Sequence, residues 1–314
     1  MPPDLMELTH AVSLTPNQAL GIPIALVGAM FLSLGAQFQH RGVGKVGAHN
    51  EAAGASNALS LHQMLQLLKR PSWVMGTLLL GLAIVFQLSS LILAPLIVVQ
   101  PLGAAALVIT AMVNSRVSDI PLTWAAIRAI TFCVAGVALF VTIAAFTATS
   151  SPVSESQLVI ILVILGVVTI AFGAAFGFLR KRFKAIIYIV GAGVLYGFVA
   201  TLAKVVIDRI KTLLVFGSDA GGFEWLTMIC IVALLAATAL GGYFVQSAYA
   251  SGPPDLVIAG LTVIDPIVAV CIGVVVLQEA AGAPLWAILA FIVSGAIAVY
   301  GVFQLAKHHP QSRG

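Results

Sequence analysis

Nine stretches of this chain run for about twenty or more residues with almost no charge. They lie at approximately 18–39, 72–93, 95–114, 124–147, 157–179, 185–207, 225–249, 255–278 and 284–305. A helix of about 20 apolar residues crosses a hydrocarbon core roughly 30 Å thick. Only 8% of the residues are charged, against about 25% in soluble domains, so a chain of this length cannot cover itself with a water-facing surface. The expected fold class is all-α integral membrane with nine transmembrane helices.

The loops set the orientation. With the N-terminus outside, twelve of the fifteen Lys and Arg residues fall on the cytoplasmic side. Only Lys204, Arg209 and Lys211 fall outside. Cytoplasmic loops carry the excess of basic residues, so the expectation is N-terminus out and C-terminus in, in an inner or plasma membrane. MPPDLMELTH has no basic run, so no cleaved signal peptide is expected. The net charge of +4 forms no dense basic stripe, and no nucleic-acid partner is expected. Cys133, Cys230 and Cys271 have no metal-ligand spacing and read as small core hydrophobes. The cytoplasmic loop 40–71 begins Gly- and Ala-rich and reads as flexible. Its Gly44-Lys45 pair lacks the spacing of a phosphate-binding loop. Leu61, Met64, Leu65 and Leu68 then mark a short helix on the inner membrane face or under the bundle.

Two parts of the chain share an ordered pattern. Gln87 lies eight residues before Pro95, and Gln246 eight before Pro254. A polar residue then precedes a proline inside the following span, as Gln100-Pro101 and as Asp265-Pro266. The two spans close at Asn114 and Glu279, and each is followed by a Pro-Leu start, at 121 and 284. Aligning the first spans places Gln37 opposite Lys204. Spans one to four thus match spans six to nine. The offset of five is odd, so the two units are inverted in the bilayer. The expected layout is an N-terminal repeat at 1–148, a connecting span at 156–180, a C-terminal repeat at 184–306 and a tail at 307–314. Inverted repeats are the layout of alternating-access transporters, with the site near the midplane at the repeat interface.

SGPPDLVIAGLTVIDPIVAVCIGVVVLQE, with Asp265-Pro266 and Glu279, resembles the drug/metabolite transporter superfamily. Trp73 and Gly76, followed by LAPLIVVQPLGAAALV, look closer to its nine-span NIPA-type magnesium transporter branch. That resemblance implies transport of a small solute or of magnesium. Asn114 stands where the superfamily often has Glu, and the first repeat has no intramembrane carboxylate.

Asp265 is the central candidate. A carboxylate at the bilayer centre costs at least about 2.5 kcal/mol on insertion scales, so it is neutral, paired or facing a wet cavity. A carboxyl that takes up and releases a proton as its cavity opens to either side is a coupling element. The alternative is a structural bond to a neighbouring helix. Pro266 and Pro101 are expected to interrupt their helices and free backbone carbonyls. Gln100, Gln87, Gln246 and Gln37 are candidate substrate contacts or bonds between helices. Lys204 reads as an outer gate or anionic anchor, as a snorkelling side chain, or as a partner of Asp208 one helical turn on. Glu279 and Asn114 close their helices at opposite membrane faces and are expected in capping or interface roles rather than in transport.

The chain shows no paired catalytic carboxylates, no His cluster and no zinc motif, so an enzyme is not expected. A secondary transporter of a small metabolite or drug-like solute is the main reading, proton-coupled through Asp265, with its site between spans one, three, six and eight. A magnesium carrier using Asp265 as ligand, a translocator of a lipid-linked substrate and a non-transporting scaffold are the alternatives. The expected partners are the solute or ion and the lipid bilayer, with a homodimer as an option; no cofactor is expected.

Overall fold

The computed structural model describes residues 15–51, 69–117, 123–149, 153–179, 185–216, 224–251 and 254–307. Among them every regular element is a helix, with no strand. The helices are α1 (Pro16–Glu51), α2 (Pro71–Leu93), α3 (Leu96–Leu102), α4 (Ala104–Val117) and α5 (Trp124–Thr147). There follow α6 (Glu155–Leu179), α7 (Ala185–Phe216), α8 (Glu224–Ser251), α9 (Pro254–Val275) and α10 (Leu285–Lys307).

Among the described residues eight helical segments are long and apolar enough to cross a membrane, α3 and α4 forming one of them. Helix α9 carries a shorter apolar stretch, Gly260–Val275. The outer surface is as oily as the core: Val167 and Ile170 on α6 are 62% and 73% exposed. Apolar side chains on both faces of a helix need hydrocarbon on the outside. The protein is an all-α, multi-pass membrane protein.

Helix α3 sits at the centre. Leu96, Ile97, Val98 and Val99 are fully buried, and α1, α2, α5, α7 and α9 all touch it. Helix α1 packs along α2, α5 along α10, and α7 against both α8 and α9. Small residues allow the closest of these approaches. A Cβ added at Gly193 would lie 2.7 Å from Ile264, and one at Gly197 would lie 2.7 Å from Val268. These two glycines let α7 press directly on the turns of α9 that flank Asp265.

Several expectations are corrected. Residues 40–51 are the last turns of α1, not a loop. Once a helix is nucleated each further residue adds a backbone bond, and no proline follows Pro23 in this segment to stop it. The amphipathic segment expected at 61–68 lies outside the described residues. The third span is two helices meeting at Gly103, whose N–H bonds back to the Gln100 and Pro101 carbonyls in a tightened turn. Pro101 therefore marks a break, as expected. Pro266 does not, because α9 runs through it without interruption. One missing N–H removes a single rung, and the neighbouring rungs carry the helix on. Cys133 and Cys230 are buried, whereas Cys271 is exposed and not part of the core.

Candidate functional site

A cavity of about 440 Å³ lies where α1, α2, α3, α7 and α9 converge. Gln87, Gln100, Tyr196, Thr262 and Asp265 give it polar edges, and Ala, Gly, Leu and Val side chains form most of the rest. The expected site lay between spans one, three, six and eight. Helix α2 also lines it, through Ala83, Ile84, Gln87, Leu88 and Leu91.

Asp265 sits midway along α9, on the face turned to α7. Its Oδ1 is buried and meets no hydrogen-bond donor among the described residues. A buried acceptor left without a donor costs about 1–3 kcal/mol. Such a group is an exception among buried polar atoms and calls for an explanation. Gln100 is also buried, and its amide adds both donor and acceptor capacity. Gln87 is half-buried on α2. Tyr196 and Thr262 escaped the sequence reading as side-chain contributors. The signal for Tyr196 was a phenol in mid-span between Gly193 and Gly197, a polar tip that needs a partner or a wet space.

Two candidates lie elsewhere. Gln37 is half-buried further along α1 and does not line the cavity. The side chains of Gln246 and Asn114 lie outside the described residues. Lys204 is not a snorkelling side chain, for it is only 2% exposed. Its Nζ donates to the Leu91 carbonyl at 2.7 Å and the Ala94 carbonyl at 3.4 Å. It also lies 3.2 Å from Asp208 Oδ2, the intrahelical pairing that the spacing allows. Lys211 donates to the Ile92 carbonyl and approaches Asp208 Oδ1 at 3.6 Å.

Glu279 was expected in a capping or interface role, and the helix it caps is not its own. Helix α9 ends at Val275, and the chain turns through Gln278 in the left-handed region, φ 56°. Glu279 then reaches α3 instead. Its Oε1 accepts from the Leu96 N–H and its Oε2 from the Ile97 N–H, both at 2.8 Å. Proline at position 95 leaves those two amides as orphan donors at a helix start, and a carboxylate also suits the positive end of the helix dipole. Burial pushes the Glu279 carboxyl above the usual carboxylate range, while the Ile97 and Leu96 amides and the Lys204 ammonium pull against that rise.

These contacts gather at one end of the bundle. The Thr149 N–H donates to the Glu279 carbonyl at 2.8 Å, Gln18 reaches the Ala148 carbonyl at 3.1 Å, and Gln157 reaches the Val276 carbonyl at 2.9 Å. The bonds made by Lys204, Lys211, Glu279 and Thr149 tie the first part of the chain to the second at this end. No described group of three or more His, Cys, Asp and Glu residues is placed to hold a metal ion. Comparison with protein-family models, curated proteins and solved structures found no match.

Proposed function

We propose that this chain is a secondary transporter of the drug/metabolite type, moving a small solute by alternating access with Asp265 as the coupling acid. The supporting observation is the cavity at the meeting of the two chain halves, with Asp265 in its lining and one of that carboxyl's oxygens without a hydrogen-bond partner among the described residues. In this reading the chain makes nine passes as two inverted four-helix repeats around the connecting α6. The Gln100-Pro101 and Asp265-Pro266 elements then face each other across the pseudo-twofold axis. The N-terminus is outside, so the end sealed by Lys204, Glu279 and Thr149 is the outer end. A carboxyl that protonates from one side and releases to the other gives the coupling, because solute and proton compete for the same group.

A second reading is a divalent-cation carrier. Its support is that the polar groups lining the cavity are oxygen donors, the carboxyl of Asp265, the amides of Gln87 and Gln100 and the hydroxyls of Tyr196 and Thr262. Magnesium takes hard oxygen ligands while keeping several of its waters.

The deciding experiment uses purified protein in liposomes under a pH gradient, challenged with pooled metabolites and, separately, with divalent cations. Proton movement on adding a solute, lost in Asp265→Asn, supports the first reading. A cation flux with no proton movement supports the second. Retained uphill transport with unchanged pH dependence in Asp265→Asn removes Asp265 from the mechanism.

A further inference from the structure

A second space, of about 480 Å³, lies on the other side of α3 and α9 from the polar cavity. Pro101, Phe140, Val270, Phe291 and Gly295 are among its walls, and among the described residues Thr262 is the only polar side chain lining it apart from the Cys271 thiol. It opens sideways: Ile267, Val275 and Ile292 line it and are among the exposed hydrophobic residues. Thr262 and Pro266, one helical turn apart, line both spaces. Gln100 faces the polar cavity and its neighbour Pro101 the apolar crevice. The two spaces are therefore adjacent across a single ridge of α9, and each proline stands beside the polar residue that borders the cavity.

We infer that the transported solute is an amphiphile, with an ammonium head at Asp265 and an unbranched alkyl chain lying over Thr262 and Pro266 into the apolar crevice. This rests on the transport reading above. The head follows from charge complementarity. Among the described residues the cavity lining holds one carboxyl and no Lys, Arg or His, and the nearby Lys204 ammonium is taken up by the Leu91 and Ala94 carbonyls and Asp208. An ammonium brings three donors, which suit the Asp265 carboxyl and the amide oxygens of Gln87 and Gln100, all in the cavity lining. The tail follows from the crevice wall, which offers a polar body almost nothing, and from its volume, within the roughly 300–1,000 Å³ of small-molecule sites. The lateral opening gives the chain a way in from the bilayer.

The test uses the full chain in phosphatidylcholine nanodiscs and n-alkylammonium ions from butyl to dodecyl. Affinities are referred to free aqueous amine and corrected with empty nanodiscs. Gly295→Leu plugs the crevice, since a Cβ there meets only Phe140 ring carbons at 3.9 Å. Cys271→Phe is a second plug at an exposed position. The expected result is a Kd that falls about three- to fourfold per methylene. Both plugged variants should bind butylammonium as wild type does and lose at least about tenfold for decylammonium, the worth of two methylenes. Equal decylammonium affinity in a folded plugged variant overturns the inference, since the crevice would then hold only bilayer lipid. Absence of any saturable amine binding, or binding that survives Asp265→Asn, overturns it as well. Proton flux with another solute in the liposome assay would still stand, so the two failures are distinguishable.

Discussion

Lys204 and Glu279 hold the same short turn of chain from its two sides. The ammonium takes the Leu91 and Ala94 carbonyls at the end of α2, and the carboxylate takes the Leu96 and Ile97 amides at the start of α3. Each charge sits on the helix end of opposite partial charge. Both come from the second part of the chain, and both act on the first.

Removing either charge should loosen this end. Glu279→Gln keeps the shape but can accept only through one atom, leaving one buried amide unsatisfied at about 1–3 kcal/mol. Lys204→Met should cost about 3 kcal/mol, the low end for breaking a buried pair, because Lys211 remains 3.6 Å from Asp208. Denaturant titration of the purified protein measures both. Unchanged stability in either variant would mean that these contacts do not hold the end closed.

Asp265→Asn should leave the unfolding midpoint close to wild type, since the exchanged oxygen has no hydrogen-bond donor to lose among the described residues. Uphill transport and its response to pH should both disappear, because an amide binds no proton in this range.

Gly197→Leu should be more damaging than Gly295→Leu. At Gly197 the added carbon lies 2.7 Å from Val268 and 3.0 Å from the Asp265 carbonyl oxygen, so α7 must move off α9. Overpacking of this kind costs about 1–3 kcal/mol. The expected readout is a lower unfolding midpoint together with lost transport, whereas Gly295→Leu keeps its stability.

Gln278 carries backbone strain at φ 56°. Gln278→Gly should be neutral or stabilising, and Gln278→Val should lower stability by about 1–2 kcal/mol. The same denaturant titration reads both, and equal stability of the Gly and Val variants would contradict the left-handed turn.

The proposed orientation has its own test. A cysteine at Ser154, an exposed position at the sealed end, should react with a membrane-impermeant maleimide added to intact cells. One at the exposed Arg128 should react only after permeabilisation. The reverse pattern would invert the orientation, and the sealed end would then be the inner one.

The sequence by itself determined the class of fold. Charge is scarce, and the apolar runs are about twice the length of a barrel strand and do not alternate, so of the two arrangements that satisfy a backbone in lipid, helices and closed barrels, only helices fit. It also marked Asp265, Gln100 and Gln87, because an ionisable or amide group in the middle of an oily run must be there for a contact. It could not assign Glu279. A carboxylate beyond a helix end looks like a local cap, and only the packed bundle brings it onto α3. The choice among the three readings of Lys204 was likewise open, since Asp208 is within reach in any helix while the Leu91 carbonyl is near only after α2 docks on α7. The fate of the two prolines was decided in the same way. A break follows Pro101 at Gly103, whereas α9 runs on through Pro266; a proline in the sequence does not by itself say whether one lost hydrogen bond parts its helix.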